Sequence, residues 1–236
     1  MIKQWLDRQR AEKSLGKGLG LMSNGKPELA IAEFDRALAL DDNVLEARLR
    51  RGICYVVTLN DEQGLADLNN ALAVKPNLAA AYYWLAVVYL RRDELSLALD
   101  NIERAIKLDP NEPANYLLRG SVYSRKQDYD LALKDMSTGI ELGFEEDGYN
   151  NRAVVYEEKG DYESAIKDWT EVIKRTRQSA KAYCKRGMLY AKTGQEEFAI
   201  TDLQRGLKDE GQLSADLQNN SQRLLDALLN DNKGRQ

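Results

Sequence analysis

A pattern that returns every 34 residues constrains the fold of this chain more than any other feature of its sequence. The stretch from Tyr116 to Asp135 shows one copy: two amphipathic halves divided by a polar break at Gln127 and Asp128. Two short halves with helical periodicity are typical of a helical hairpin. A small residue recurs in the first half of every copy, at Gly18, Gly52, Ala86, Gly120, Ala153 and Gly187.

Alignment on these small residues divides the chain into six units, five of 34 residues and a fourth of 33. The units span residues 11–44, 45–78, 79–112, 113–145, 146–179 and 180–213. An array of hairpins needs polar caps at its two open ends. We therefore expect an N-terminal helix within residues 1–10 and a C-terminal capping helix over 214–230. The sequence predicts a single domain over residues 1–236.

Other positions of the units repeat as regularly. A large residue follows three positions after the small one, at Leu21, Tyr55, Tyr89, Tyr123, Tyr156 and Tyr190. The second halves carry a small residue at Ala30, Gly64, Ala98, Ala132, Ala165 and Ala199. A large side chain stands four residues later, at Phe34, Leu68, Ile102, Met136, Trp169 and Leu203. Small residues allow two helices to approach closely, and the large ones fill the space between them.

This period and pattern resemble the tetratricopeptide-repeat (TPR) family over nearly the full chain. The resemblance implies an all-α, right-handed superhelical solenoid of six helix-turn-helix repeats with capping helices. Pro76 and Pro110 stand where the family has its inter-repeat proline. Gly143 and the missing residue of the fourth unit make the junction between units four and five the expected irregularity.

The two ends carry the features of caps. Ile2, Trp5 and Leu6 share one helix face, and we expect that face to cover the first repeat. Ser214 is a favourable residue for the start of the C-terminal helix.

Opposite charges recur within the units. In five units the first helix carries a cation and the second helix an anion. The pairs are Lys17 with Glu33, Arg51 with Asp67, Arg119 with Asp135, Arg152 with Asp168, and Arg186 with Asp202. In the third unit both members change together, to Leu85 and Asn101. Because the two positions change together, we interpret each pair as an ion pair that closes its hairpin. A catalytic or anion-binding role is the weaker interpretation.

Composition narrows the function. The 236 residues are 43% hydrophobic and 31% charged, which suits a folded protein that does not span a membrane. A net charge of −4 without a dense basic run indicates no nucleic-acid partner. Histidine is absent, which removes the commonest general base and metal ligand, so we expect no enzymatic activity, cofactor or metal. Cys54 and Cys184 are expected to be reduced and buried. If Met1 is the native start, the lack of a leader predicts a cytoplasmic protein.

The resemblance implies that partners bind in the concave groove lined by the first helices. The expected binding residues are Leu49, Ile53, Tyr83, Trp84, Val87, Leu117, Asn150, Asn151, Lys181 and Lys185. Tyr83 and Trp84 are neighbours that cannot both point into one interface, so one of them is expected to be exposed. An exposed aromatic side chain in a groove indicates a partner site.

The polar end of this groove suggests an alternative function. Some TPR co-chaperones grip acidic C-terminal peptides with Lys, Asn and Arg side chains of three successive repeats. Asn151 and Lys181 match that pattern, and Lys185 stands where the family has Arg. Leu117 and Ser121, however, replace the first Lys and Asn, which leaves only a partial carboxylate clamp.

From the sequence we expect a non-catalytic scaffold or adaptor that binds a peptide segment or helix of another protein in its groove. The alternative is a co-chaperone-like module specific for acidic C-terminal peptides. Self-association through the terminal helices or the groove is also possible.

Overall fold

The structure is a computed structural model that describes residues 2–176, 179–208 and 213–234. These residues form thirteen α-helices and no β-strand. The helices are α1 (Ile2–Ser23), α2 (Pro27–Leu40), α3 (Leu45–Val57), α4 (Asp61–Val74), α5 (Ala79–Arg91), α6 (Leu95–Leu108), α7 (Pro113–Arg125), α8 (Tyr129–Glu141), α9 (Glu145–Lys159), α10 (Tyr162–Arg175), α11 (Ala180–Lys192), α12 (Glu196–Gly206) and α13 (Ala215–Gly234). The predicted all-α class is confirmed.

The chain forms two compact units, Met1–Val122 and Tyr123–Gln236. In the first unit, α1 packs on α2, α3 on α4 and α5 on α6. In the second unit, α9 packs on α10 and α11 on α12, while α13 lies against α11 and α12. Each unit is therefore a stack of helical hairpins. A single solenoid domain over residues 1–236 stays a prediction.

The turns inside the hairpins share one backbone geometry. A residue with positive φ occupies the same place in each turn, at Gly25, Leu59, Asp93, Gln127, Gly160 and Gly194. In the second hairpin the N–H of Asn60 donates to the carbonyl of Tyr55 at 2.8 Å, and the N–H of Leu59 donates to Val56 at 3.2 Å. This pair of bonds is a Schellman ending, which reverses the chain within a few residues.

The recurring small residues lie where two helices of a hairpin approach most closely. A Cβ added to Gly18 would overlap the ring of Phe34, and one added to Gly187 would stand 3.0 Å from Cγ of Leu203. Ala30 and Ala199, the small residues of the facing helices, are fully buried. The close approach therefore depends on the absence of larger side chains, as the sequence predicts.

Three of the predicted ion pairs close their hairpins with two parallel hydrogen bonds. In each pair the arginine Nε and Nη2 donate to the two carboxylate oxygens at 2.7–3.0 Å: Arg51 to Asp67, Arg152 to Asp168 and Arg186 to Asp202. The aspartates are buried, so the two bonds replace the water that a carboxylate loses on folding. The hydrogen bond to Asp67 raises the pKa of Arg51, and burial opposes it. The pair of Arg119 and Asp135 stays a prediction.

Each of these arginines also contacts the preceding hairpin, which the sequence did not reveal. The third nitrogen, Nη1, donates to a side-chain oxygen of the previous second helix: Arg51 to Asp35 at 2.6 Å, Arg152 to Ser137 at 2.9 Å and Arg186 to Thr170 at 2.8 Å. The arginine therefore joins two repeats as well as two helices.

The first repeat does not follow the predicted pairing. Glu33 pairs with Arg36, one turn along the same helix, and the described residues hold no ion pair between Glu33 and Lys17. In the third repeat, Leu85 is buried and Asn101 donates to the carbonyl of Leu97 at 2.8 Å. Where the cation is replaced by leucine, the anion is thus replaced by a neutral residue whose side-chain amide forms a hydrogen bond within its own helix.

The junction between α8 and α9 is irregular, as expected. Gly143 has φ of 97°, and the N–H of Phe144 donates to the carbonyl of Gly139 at 3.0 Å. The corresponding C-caps Asp41, Lys75 and Thr176 are extended instead. This junction therefore ends its helix with a Schellman turn where those three use an extended residue.

Residues 2–10 are helical, as predicted, but the prediction that they form a separate helix that caps the first repeat is wrong. α1 runs unbroken from Ile2 to Ser23, because no helix breaker separates the predicted terminal helix from the first repeat. Ile2 and Trp5 are 78% and 62% exposed, and Leu6 is 41% exposed, so they do not cover the repeat.

The C-terminal helix α13 begins at the predicted cap. The hydroxyl of Ser214 accepts the N–H of Leu217 at 3.4 Å, and Leu225 and Ser221 are buried on the packed face. Neither this helix nor any other in the described part of the chain is both long enough and apolar enough to cross a membrane.

Both cysteines are free and buried, as predicted. Burial raises the pKa of Cys54 to about 11. Burial also raises the pKa of Cys184, and the nearby hydroxyl of Ser221 partly offsets that rise.

The ion pair can be tested with the third repeat as a template. Arg152→Leu leaves the buried carboxylate of Asp168 unpaired, and we expect it to cost about 2–3 kcal/mol in the free energy of unfolding. Arg152→Leu with Asp168→Asn reproduces Leu85 and Asn101, and we expect it to cost less than about 1 kcal/mol. Urea denaturation followed by circular dichroism measures both. A double variant as unstable as the single one would contradict this account of the pair.

Thiol labelling tests the burial of the cysteines. At pH 8 a thiol with a raised pKa stays protonated, so we expect a thiol-reactive disulfide reagent to leave the native protein unlabelled. In concentrated urea the ordinary pKa of about 8.5 returns, and both thiols should react promptly. Rapid labelling of the folded protein would contradict the packing around Cys54 and Cys184.

Candidate functional site

Three of the predicted binding residues are part of the core. Leu49 and Ile53 are 4% exposed and Leu117 is 5% exposed. Leu49 and Ile53 pack in one cluster with Leu85 of the next first helix, so they face the neighbouring repeat. Their prediction as groove residues is wrong, because the first helix buries one part of its apolar face between repeats.

The other predicted residues remain accessible in part. Tyr83, Trp84, Val87, Asn150, Asn151 and Lys185 are half-buried, and Lys181 is exposed. These residues fall into two groups: an aromatic one on α5 and a polar one on α9 and α11.

Tyr83 and Trp84 contact each other on α5. Their ring centroids lie 5.4 Å apart and the ring planes are at 88°, an edge-to-face arrangement. Both rings are half-buried, whereas the sequence predicts that one of the two is exposed. The contact between them restricts both side chains and exposes part of each.

The two rings line a pocket of about 270 Å³, here called the aromatic pocket. It lies where the start of α5, the connection between α6 and α7 and the start of α7 meet. Its lining consists of Ala79, Ala80, Tyr83, Trp84, Asp109, Glu112, Ala114 and Asn115. Three alanines leave the space beside the rings open. The lining therefore combines an aromatic wall with two carboxylates and contains no cationic side chain.

Reasoning from the sequence missed the carboxylates of this pocket. All the predicted site residues lie on first helices, whereas Asp109 and Glu112 belong to the connection between repeats. Buried Asn115 fixes this connection by donating to the carbonyl of Asp109 at 3.2 Å. Burial raises the pKa of Tyr83, and the charge of Glu112 raises it further. The sequence does carry a signal for Asp109 and Glu112: they directly precede α7, the first helix of the repeat that follows Trp84.

The polar group is held together by hydrogen bonds. Lys181 Nζ donates to Asn150 Oδ1 at 3.2 Å, and Asn150 Nδ2 donates to Asn151 Oδ1 at 3.1 Å. Lys185 Nζ donates to Glu157 Oε2 at 3.1 Å. The structure thus links three of the four predicted polar residues directly, and the fourth, Lys185, pairs with an anion, Glu157.

Glu157 also accepts a hydrogen bond from the core. The indole N–H of Trp169, which is fully buried, donates to Glu157 Oε1 at 2.6 Å. A buried tryptophan needs such an acceptor. A signal for it exists in the sequence: the positions equivalent to Glu157 in the other repeats are Met22, Val56, Leu90, Ser124 and Ala191, none of them charged. Only the repeat with tryptophan in its second helix carries a carboxylate there.

A second pocket, here called the lysine pocket, lies beside this group and measures about 300 Å³. It is lined by Glu146, Asp147, Asn150, Trp169, Val172, Thr176, Ser179, Ala180, Lys181 and Ala182. Its repeat positions match those of the aromatic pocket, since Asn150 corresponds to Tyr83 and Lys181 to Ala114. The same place in two repeats therefore carries different chemistry: aromatic and acidic in one, polar with both charges in the other.

Comparison with known proteins identifies the family. Tetratricopeptide-repeat models match residues 155–194, 79–112 and 15–58. The chain belongs to the tetratricopeptide-repeat family. Among curated proteins no sequence matches this TPR chain.

Solved structures share the TPR fold. A chain of the APC/C hetero-tetramer Cut9-Hcn1 superposes with a TM-score of 0.77 at 16% identity; the match covers 90% of this chain but 42% of that one. The TPR chain thus spans less than half the length of that relative. PilF of Pseudomonas aeruginosa gives a TM-score of 0.74 at 14% identity over 92% of this chain and 98% of its own. YrrB is described as a TPR protein with an unusual peptide-binding site. It superposes with a TM-score of 0.56 at 24% identity, over 76% of this chain and 90% of its own.

These likenesses establish the fold. Membership of the TPR family supports a general role as a scaffold for protein–protein interaction.

The bond between Trp169 and Glu157 predicts a graded loss of stability. Glu157→Ala leaves a buried indole N–H without an acceptor, which we expect to cost about 1–3 kcal/mol in the free energy of unfolding. Glu157→Gln keeps an acceptor oxygen and should cost less. Urea denaturation measures both, with Glu163→Ala on the exposed face of α10 as the control. Equal losses in the Ala and Gln variants would assign the effect to the Lys185 ion pair instead.

Proposed function

We propose that this TPR protein is a non-catalytic adaptor that binds a peptide segment or helix of a partner protein across its first helices. The aromatic pocket is the anchor of that site. The observation that carries the proposal is the pair of half-buried rings, Tyr83 and Trp84, beside an open cavity.

The residue types at this pocket support an interaction site. Binding energy at protein interfaces concentrates in a few residues, with Trp and Tyr among the most frequent. Such residues contribute large contact areas at a low cost in side-chain entropy. Here the contact between Tyr83 and Trp84 restricts both rings before any partner binds. Preorganisation of this kind lowers the cost of association.

The size of the aromatic pocket suits one side chain of a partner. Its volume of about 270 Å³ lies below the roughly 300–1,000 Å³ of sites that enclose drug-sized ligands. A peptide side chain could fill it while the rest of the peptide contacts the accessible parts of the first helices, including Val87. The likeness to YrrB, described as having an unusual peptide-binding site, agrees with this mode of binding.

The alternative function, capture of acidic C-terminal peptides by Asn151, Lys181 and Lys185, has weaker support. Lys181 is exposed, which favours it. Glu157 pairs with Lys185, and Glu146 and Asp147 line the lysine pocket, so the local positive charge is largely balanced. Self-association through the terminal helices stays a prediction.

Selection from a random peptide library displayed on phage tests the proposal. Peptides that bind the full chain are synthesised, and their dissociation constants are measured for wild type, Trp84→Ala and Trp5→Ala. We expect Trp84→Ala to weaken binding about 30-fold or more, as for an interface hot spot. Trp5→Ala removes an equally large and more exposed side chain at the start of α1, and should leave binding unchanged.

Two results would overturn the anchor. Peptides that bind Trp84→Ala as tightly as wild type would place the site elsewhere. Acidic peptides whose binding depends on Lys185 rather than on Trp84 would favour the alternative function. Circular dichroism melting of each variant shows whether a loss of binding arises from unfolding.

A further inference from the structure

We infer that the aromatic pocket receives a basic side chain, a lysine or arginine of the bound peptide. This inference rests on the proposed function and specifies the chemistry of its ligand. Its basis is the combination of two carboxylates and two aromatic rings around one cavity.

The charge around the cavity is of one sign. Asp109 and Glu112 line it, and no lysine or arginine does. Both residues are exposed, and neither forms an ion pair within the part of the chain that the structure describes. Elsewhere in the chain carboxylates do pair with arginine, as Asp61 does with Arg91. Two unpaired carboxylates at one opening attract a cation and repel an acidic side chain.

The rings offer the second contact. A cation held over an aromatic face within about 6 Å of the ring centre is attracted by the negative charge of that face. Many tyrosines of this chain already have such a cation: Arg104 lies 5.6 Å from the Tyr82 ring and Arg119 lies 5.7 Å from the Tyr116 ring. Among the described residues, no cation of the chain lies over Tyr83 or Trp84. These two rings are therefore available to a cation supplied by a partner.

One feature of the pocket, the start of α7, favours an anion, and a carboxylate of the chain already occupies that place. The first turn of α7 borders the cavity, and free N–H groups at a helix start attract negative charge. Glu112 supplies that charge itself, since its Oε1 accepts the N–H of Ala114 at 3.3 Å. The second oxygen of Glu112 and both oxygens of Asp109 remain for a guanidinium or ammonium group.

The lysine pocket provides an internal contrast. At the position equivalent to Ala114 it carries Lys181, whose own ammonium group lies 5.8 Å from the Trp169 ring. There the chain itself places a cation near an aromatic ring. In the aromatic pocket an alanine stands at that position, and the space is open.

Two variants with equal changes of charge test the inference. Asp109→Asn with Glu112→Gln removes the pocket carboxylates and keeps an acceptor for the N–H of Ala114. Asp100→Asn with Glu103→Gln removes two exposed carboxylates of α6 and serves as the control. The random peptide library is selected on wild type and on both variants.

We expect lysine or arginine to be enriched at one position of the peptides selected by wild type and by the control, and not by the pocket variant. Dissociation constants of the wild-type peptides should rise roughly tenfold for the pocket variant, the sum of an ion pair and a weakened cation–π contact. Replacement of the basic residue by norleucine should have a similar effect, and the two changes together should cost less than their sum.

The outcomes separate this inference from the proposed function. If norleucine peptides bind as tightly and still require Trp84, the pocket takes an apolar side chain; the adaptor function stands and the inference fails. If the control loses as much affinity as the pocket variant, the attraction is general and the inference also fails. If no selected peptide depends on Trp84, the proposed function fails first.

Discussion

The close approach of the two helices in each hairpin is the constraint on which the rest of the structure depends. A single added Cβ at Gly18 or Gly187 would meet the large side chain of the facing helix. Because the helices approach at that point, the neighbouring arginine comes within reach of a buried aspartate on the second helix. The same arginine then reaches back to the preceding hairpin, as Arg186 does to Thr170. One steric condition thus leads to the contact within a repeat and to the contact between repeats.

Features that repeat could be predicted, since each copy supports the others. The hairpins and the small-residue crossings follow from residues close in sequence and recur at a fixed spacing. The bidentate pair of Arg152 and Asp168 was indicated by the coordinated change to Leu85 and Asn101 in another repeat. Features that occur once had no such support. The start of α1 is an example: an apolar face at Ile2 and Trp5 suggests burial, yet both side chains are mostly exposed.

The candidate site was predicted in part, and the errors have a common physical origin. A first helix presents apolar residues to the next repeat and to the groove, and helical periodicity does not separate these two faces. Leu49 and Ile53 therefore seemed equivalent to Trp84, although they pack against Leu85 and Val88. The missing members of the site, Asp109 and Glu157, contact residues of other helices. Their positions depend on side-chain directions across helices rather than on spacing along one helix.

Because the backbone of each repeat is nearly the same, differences in recognition must come from side chains at equivalent positions. The aromatic pocket and the lysine pocket show how far such differences extend. Tyr83 and Asn150 occupy the same repeat position, as do Ala114 and Lys181, and the two exchanges convert an open acidic cavity into one that contains its own cation. Within each repeat, the residues that pack the hairpin recur from copy to copy, whereas the residues that line the pocket differ. A repeat can change its ligand without any change to the contacts that hold its hairpin together.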